Sequence, residues 1–179
     1  SDDARYRSYI RKCTWNYGKI VSSAKKPEES SVFDMYYEFE EPIKKIAGYR
    51  ILAINRGEKE GILQVKIEPD QTKIASYLAK KIIRENNPYT TKVLLATIED
   101  SYKRLIAPSI ERDIRNELTE HAATEAIKVF GKNLTQLLMQ PPIAGQVVLG
   151  WDPAFRTGCK LAVVDATGKV LDKIGRAHV

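Results

Sequence analysis

At 179 residues, with 43% hydrophobic and 29% charged side chains, the chain has the make-up of folded globular material long enough for one or two cored domains, and not of a disordered or low-complexity segment. Two cysteines far apart, Cys13 and Cys159, and only two histidines argue against a disulfide framework, a zinc site or a His-rich metal centre, so neither metal nor cofactor is expected. No apolar run approaches the roughly 20 residues that cross a bilayer, which predicts a cytoplasmic protein without membrane contact, and the net charge of +6 favours an anionic partner such as nucleic acid.

Residues 1–144 read as mainly helical. Tyr6, Tyr9, Ile10, Cys13 and Tyr17 fall at three- and four-residue spacings, one apolar face of a first helix. The sequence opens SDDARYRSYIRKCTW without an initiator Met, so a preceding segment is expected. VSSAKKPEES interrupts the pattern, and SVFDMYYEF predicts a second helix that stops before Pro42. IKKIAGYRILAINR predicts a third over 43–56, with Gly57 as its C-terminal cap. ILQVKI, alternating over 62–67, reads as a lone strand.

From Gln71 the helical signal becomes dense. Ile74, Tyr77, Leu78 and Ile82 stripe one helix, and residues 90–107 supply another. Pro108 either kinks that helix or opens the next at its first turn. Residues 109–139 hold one glycine and no proline, with a stripe through Ile110, Ile114, Leu118, Ala122, Ala126, Val129, Phe130, Leu134, Leu137 and Leu138. Such a rod, about 45 Å long, suits a connecting scaffold. PPIAG then marks the domain boundary.

Beyond it the period becomes that of strands. VVLGW reads as a buried strand that delivers Asp152 to a loop; Gly158 leads into KLAVVD, Ala166-Thr167-Gly168 turns the chain, and KVLD returns. Strand, acid, loop and hairpin is how ribonuclease-H-like domains begin. In the nucleases of that fold the first-strand aspartate joins several other carboxylates in clamping two cations about 3.5–4 Å apart; a single carboxylate cannot do this.

The segment GWDPAFRTGCKLAVVDATGKVLD resembles the opening of the YqgF-type, ribonuclease-H-like domain of the Tex family of bacterial transcription accessory proteins, while YRILAINRGEKEGIL and SYKRLIAPSIERDIRNELTEHAATEAIKVFGKNLTQLLMQPP resemble the family's central helical part. The resemblance implies a mainly α fold with a long connecting helix, followed by the first hairpin of an α/β ribonuclease-H-like domain. It divides the chain into a central helical region (1–144), the start of the YqgF-type domain (145–173) and a tail (174–179). That tail, IGRAHV, matches one reading frame of a common sequencing adapter and is expected to make no ladder or core contacts. The resemblance further implies a longer protein with helix-hairpin-helix elements and an S1 RNA-binding module, which associates with nucleic acid and the transcription machinery.

Three functions compete. The favoured one is a non-catalytic scaffold in a nucleic-acid-binding transcription accessory protein, with Arg156 and Lys160 as candidate phosphate contacts and Asp152 a remnant of the ribonuclease-H-like site, capping loop amides or pairing with Arg156. The second is a metal-dependent nuclease of the resolvase type. Against it, simpler family members show GLDPG where this chain has Trp151 and Ala154, and a lost glycine hinders close approach of a phosphate. The third is an actin-like or sugar-kinase ATPase, disfavoured by the 145 or so residues before the motif and by the absence of a GxxxxGK[ST] loop. Asp165 is read as the start of its turn. The charges of 111–125 are read as a solvated face laced with i,i+4 pairs. Lys80, Lys81, Arg84, Lys103 and Arg104 are read as scattered surface, and the tyrosines and tryptophans as core or interface.

Overall fold

A computed structural model describes residues 3–85, 87–141, 143, 145–154 and 158–177. The chain divides into two compact units, Ser1–Val129 and Phe130–Val179. The fold is mainly helical, with a long helical stretch followed by an antiparallel three-stranded sheet.

The first unit begins with α1 (Ala4–Tyr17), capped by Asp3, whose carboxylate accepts from the Arg5 amide. Two strands that the sequence reading missed come next: β1 (Lys19–Ala24) and β2 (Glu38–Pro42). With β3 (Leu63–Glu68) they form an antiparallel sheet of order β2-β1-β3, so the expected lone strand has a partner along its whole length. The predicted helix over SVFDMYYEF is a single 3-10 turn, Asp34–Tyr36, running into β2. β1 was obscured by its serines, but Ser22 is a core residue, its hydroxyl donating to the Tyr36 carbonyl at 2.8 Å. β2 lies on a sheet edge, where its glutamates and terminal proline discourage pairing with another chain.

α2 runs over Gly48–Lys59, starting five residues later than predicted. Gly57 is inside it and not its cap: a Cβ there would lie 2.6 Å from Leu63 Cδ1, so the glycine is required by helix-to-strand packing. α3 (Gln71–Ile82) and α4 (Thr91–Ser101) follow as expected. α4 leads through one π-helical turn, Tyr102–Ile106, into α5 (Ala107–Leu138). That turn is the answer to Pro108. Proline has no N–H, and its ring collides with the carbonyl four residues back. Widening the preceding turn, with the Ala107 amide donating to Tyr102 O, lets the helix pass through the proline without breaking.

Two clusters of buried side chains form the core. Ile10, Cys13, Ile43, Ile67, Ile74, Leu78, Ile106, Ile110 and Ile114 make one. Ile20, Phe33, Tyr36, Ile51, Ile54, Leu63, Val65 and Ala122 make the other, and Leu118 packs against both.

In the second unit, β4 (Val148–Ala154), β5 (Gly158–Val164) and β6 (Val170–Ala177) pair in sequence order, all antiparallel. The expectation of a tail without ladder contacts is overturned here, because Ile174 pairs with Leu161 and Ala177 with Cys159.

Ile114 is fully buried, whereas Ile127 on the same helix is 70% exposed. Ile114→Ala is expected to destabilise the first unit by about 2–5 kcal/mol, and Ile127→Ala by no more than about 0.5 kcal/mol. Urea unfolding followed by tryptophan fluorescence of both variants checks the contrast.

Candidate nucleic-acid interface

The first-strand acid of the second unit is set by sheet register. Asp152 stands directly opposite Lys160, with Gly150 opposite Ala162 and Trp151 opposite Leu161. Residues directly opposed across an antiparallel ladder share a face, and alternate residues of a strand do too. One face therefore carries Gly150, Asp152, Lys160 and Ala162, joined by Lys173, which pairs with Ala162. The other carries Leu149, Trp151, Leu161, Val163 and Ile174, and Trp151 is 64% exposed. Asp152 and Lys160 are both exposed. The sequence reading had Asp152 at the strand tip, whereas β4 continues two residues past it. Arg156, the other candidate phosphate contact and the proposed partner of Asp152, lies outside the described residues.

A ribonuclease-H-like nuclease gathers several carboxylates around its metals, and Asp152 is the first-strand candidate for one of them. The residue facing it is a lysine, whose charge opposes a cation. Among the described residues no group of three or more His, Cys, Asp or Glu side chains is placed to hold a metal ion. Cys13 is no better suited to chemistry: it is buried in the core, and burial pushes its thiol above the ordinary value.

The hairpin between β5 and β6 is organised by Asp165, as its sequence position suggests. One carboxylate oxygen accepts from the Thr167 amide at 2.8 Å, the Thr167 hydroxyl at 2.7 Å and the Lys169 amide at 3.0 Å. The backbone closes the same turn through Gly168 N to Asp165 O at 3.0 Å, with Gly168 at φ +86°, a conformation that favours glycine. The Thr167 hydroxyl, followed by the backbone amides, holds the Asp165 carboxyl below the usual aspartate range.

The charges of α5 are a correction to the sequence reading. Arg115 pairs with Glu58 of α2, Glu117 with Arg11 of α1, and Glu111 accepts from the Ile67 amide of β3 at 3.0 Å. Within 111–125, His121 and Glu125 form an i,i+4 contact, and it is a long one at 3.8 Å. A groove of about 470 Å³ lies between α2 and α5 beside Asn55, Glu58, Arg115 and Thr119. Four of its polar groups satisfy one another: Asn55 donates to Thr119 at 2.8 Å, and Arg115 reaches Glu58 and Asn55. That network holds the two helices together.

Of the five scattered cations, Lys103 and Arg104 are engaged by Glu99 and Asp100 one turn earlier. Lys80, Lys81 and Arg84 are different. Lys80 and Lys81 are exposed in the last turn of α3 and Arg84 just beyond it, and α3 shares a tyrosine cluster with α1. Tyr9 of α1 stacks on Tyr77 of α3, with centroids 3.5 Å apart and planes 12° from parallel, and Tyr6 meets Tyr77 edge-on at 6.4 Å. Lys73 Nζ sits 3.6 Å above the Tyr17 ring. Reading each helix separately, the sequence analysis put these tyrosines on apolar faces and missed the cluster that their pairing makes. One signal was present in the sequence: residues 3–17 and 70–84 hold eight Lys/Arg against two Asp, a net +6, which is the net charge of the entire chain.

An Asp whose folded pKa is depressed adds stability that is complete above its unfolded value, about 3.9, and that is lost as pH falls through the lower folded value. A carboxyl-detected NMR titration is therefore expected to place the Asp165 midpoint below 3.9, and Asp165→Ala to lower the unfolding temperature at neutral pH while flattening this part of the acid dependence. An unshifted Asp165 midpoint would contradict the hydrogen-bonded turn.

Residues 1–130 match the family model described as Tex central region-like, and residues 146–175 match that of the Tex protein YqgF-like domain. The chain is 55% identical to the Bacillus subtilis protein YdcI over 174 residues, covering 96% of this chain and 24% of that protein. It is 35% identical over 181 residues to the transcriptional accessory protein Tex of Neisseria gonorrhoeae, covering 97% of this chain and 24% of the relative. It is 36% identical over 157 residues to human S1 RNA-binding domain-containing protein 1, covering 83% and 16%. The chain thus spans about a quarter of the bacterial relatives' length. With the central-region model covering most of its residues and the YqgF-like model following in the order expected, the chain belongs to the Tex family.

Proposed function

We propose that this chain is part of a longer nucleic-acid-binding transcription accessory protein and that it serves there as a non-catalytic scaffold. Family membership supports the first half, together with the names of two relatives, a transcriptional accessory protein and an S1 RNA-binding domain-containing protein. The second half rests on one observation: the residue opposite Asp152 in the ladder is Lys160. A clamp for two divalent cations gathers carboxylates. A lysine directly opposite the acid puts a positive charge where a bound cation would add another, which supports a structural role for Asp152 in the sheet.

In this reading the helical region extends over 1–144 and the YqgF-type domain starts at 145, a division supported by the family models ending at 130 and beginning at 146. Lys160 on the sheet, with Arg156 four residues before it in the sequence, is the proposed phosphate contact of the second unit, and the protein works in the cytoplasm. None of the described helices is long and apolar enough to cross a membrane.

The test is made on the full-length parent protein. Binding to labelled nucleic acid is expected to weaken steeply with salt, as phosphate contacts require. Asp152→Asn is expected to leave that binding unchanged, and neither form to cleave branched or linear substrates with Mg²⁺ or Mn²⁺. Metal-dependent cleavage by the parent that disappears in Asp152→Asn would replace the scaffold with a nuclease, since loss of one clamping carboxylate abolishes two-metal turnover. A parent without salt-sensitive binding would remove the nucleic-acid role altogether.

A further inference from the structure

We propose that the α1/α3 face of the first unit is itself a binding surface for single-stranded nucleic acid, with phosphates held by Lys12, Lys80, Lys81 and Arg84 and a base stacked against Tyr9. The proposal rests on the nucleic-acid reading of the parent protein and adds a site to it.

Three observations carry it. The first is charge. Residues 3–17 and 70–84, the two helices with the residues that flank them, hold a net +6, so the remaining residues sum to zero. An excess of this size on one pair of helices creates a local field that a polyanion feels. The second is availability. Arg11 is taken up by Glu117 and Lys73 by Asp70, but among the described residues no carboxylate pairs with Lys12, Lys80, Lys81 or Arg84, and all four are exposed. The spacing of Lys12 from Tyr9, three residues, and of Lys80 and Lys81 from Tyr77, three and four, puts these cations on the same helix faces as the stacked rings, and Arg84 follows two residues after the end of α3.

The third is the aromatic cluster. Tyr9 retains 38% of its surface while stacked on Tyr77, and Tyr6 supports Tyr77 from the edge. Cations flanking a fixed, partly open ring are what sequence-tolerant single-strand binders use: the groove holds the backbone while the ring takes a base. A duplex keeps its bases stacked inside and gains nothing from the ring. An acidic polypeptide satisfies the cations and likewise gains nothing from Tyr9, so the ring separates the three ligands.

Fluorescence anisotropy of this chain with labelled oligo-dT and oligo-U of about twelve nucleotides, a length within the usual range of single-strand sites, tests the proposal across a salt series. Lys80→Glu with Lys81→Glu is expected to weaken binding at least about tenfold at low salt, and to reduce the slope of log K against log salt by about 1.4, for two contacts of about 0.7 each. Tyr9→Ala is expected to weaken binding about tenfold with the slope unchanged, while Tyr9→Phe, which preserves both stack and fold, stays within about twofold of the original. Oligo-dT against oligo-U distinguishes DNA from RNA, and a duplex of the same length is expected to bind more weakly. The proposal is overturned if the chain binds neither oligonucleotide at low salt. It is also overturned if the α1/α3 variants bind normally while Lys160→Glu with Lys173→Glu does not, an outcome that moves the site to the second unit and leaves the nucleic-acid reading standing. Binding of oligoglutamate as tight as that of the oligonucleotides, with Tyr9→Ala silent for both, would make the face a dock for acidic polypeptides instead.

Discussion

One stripe of side chains on α5 has to satisfy two cores at once, and the architecture of the first unit follows from that. Ile106, Ile110, Ile114, Leu118 and Ala122 recur every four residues. Because each residue of an α-helix advances about 100°, a four-residue step overshoots a full turn by about 40°, so the stripe winds slowly around the helix. Its beginning meets the cluster built on α1 and α3, its end meets the cluster built on α2, and Leu118 at the changeover touches both. Isoleucine fills the first half, while the last position is alanine, where a Cβ added to Gly48 of α2 would lie 3.2 Å from the Ala122 Cα. A larger residue at either place would crowd the contact between α2 and α5 beside the second core.

The polar contacts of α5 flank this stripe and fix its rotation. Arg11 with Glu117, Arg115 with Glu58, and Glu111 with the Ile67 amide each tie the helix to a different neighbour. Pairs of this sort, half exposed, contribute little to net stability. Their value is positional. A slowly winding stripe tolerates small rotations of the helix, and directional bonds on both sides of it define one.

The sequence disclosed what depends on local periodicity. α3, α4, α5 and the β5–β6 hairpin are all visible in apolar spacing or in the Asp165-to-Gly168 turn chemistry. What it concealed depends on partners far along the chain. β1 reads as polar because Ser22 is buried only by virtue of the Tyr36 carbonyl, and β2 reads as helical because an edge strand of glutamates has no alternation to display. The charges of α5 suggest i,i+4 pairing until the opposite elements appear, and the register that sets Lys160 against Asp152 has no signal in the spacing of either strand. The tyrosine cluster follows the same rule: each ring fits its own helix face, and the stack exists only once α1 and α3 are side by side.

The π-turn before Pro108 has a consequence for how this helix tolerates change in length. A π-turn is an α-helix with one residue to spare, so Tyr102–Ile106 holds a single-residue insertion absorbed without a break. Deleting one residue from it would restore uninterrupted α-geometry and rotate α4 by about 100° relative to α5. Leu95 and Ile98, which with Ile74 and Leu78 of α3 line an apolar pocket, would swing away from it. The extra residue thus acts as a phase adjuster: it lets one continuous rod present its apolar side to α3 over the first stretch and to the two cores over the second, two directions that a strictly periodic helix of this sequence could not serve together.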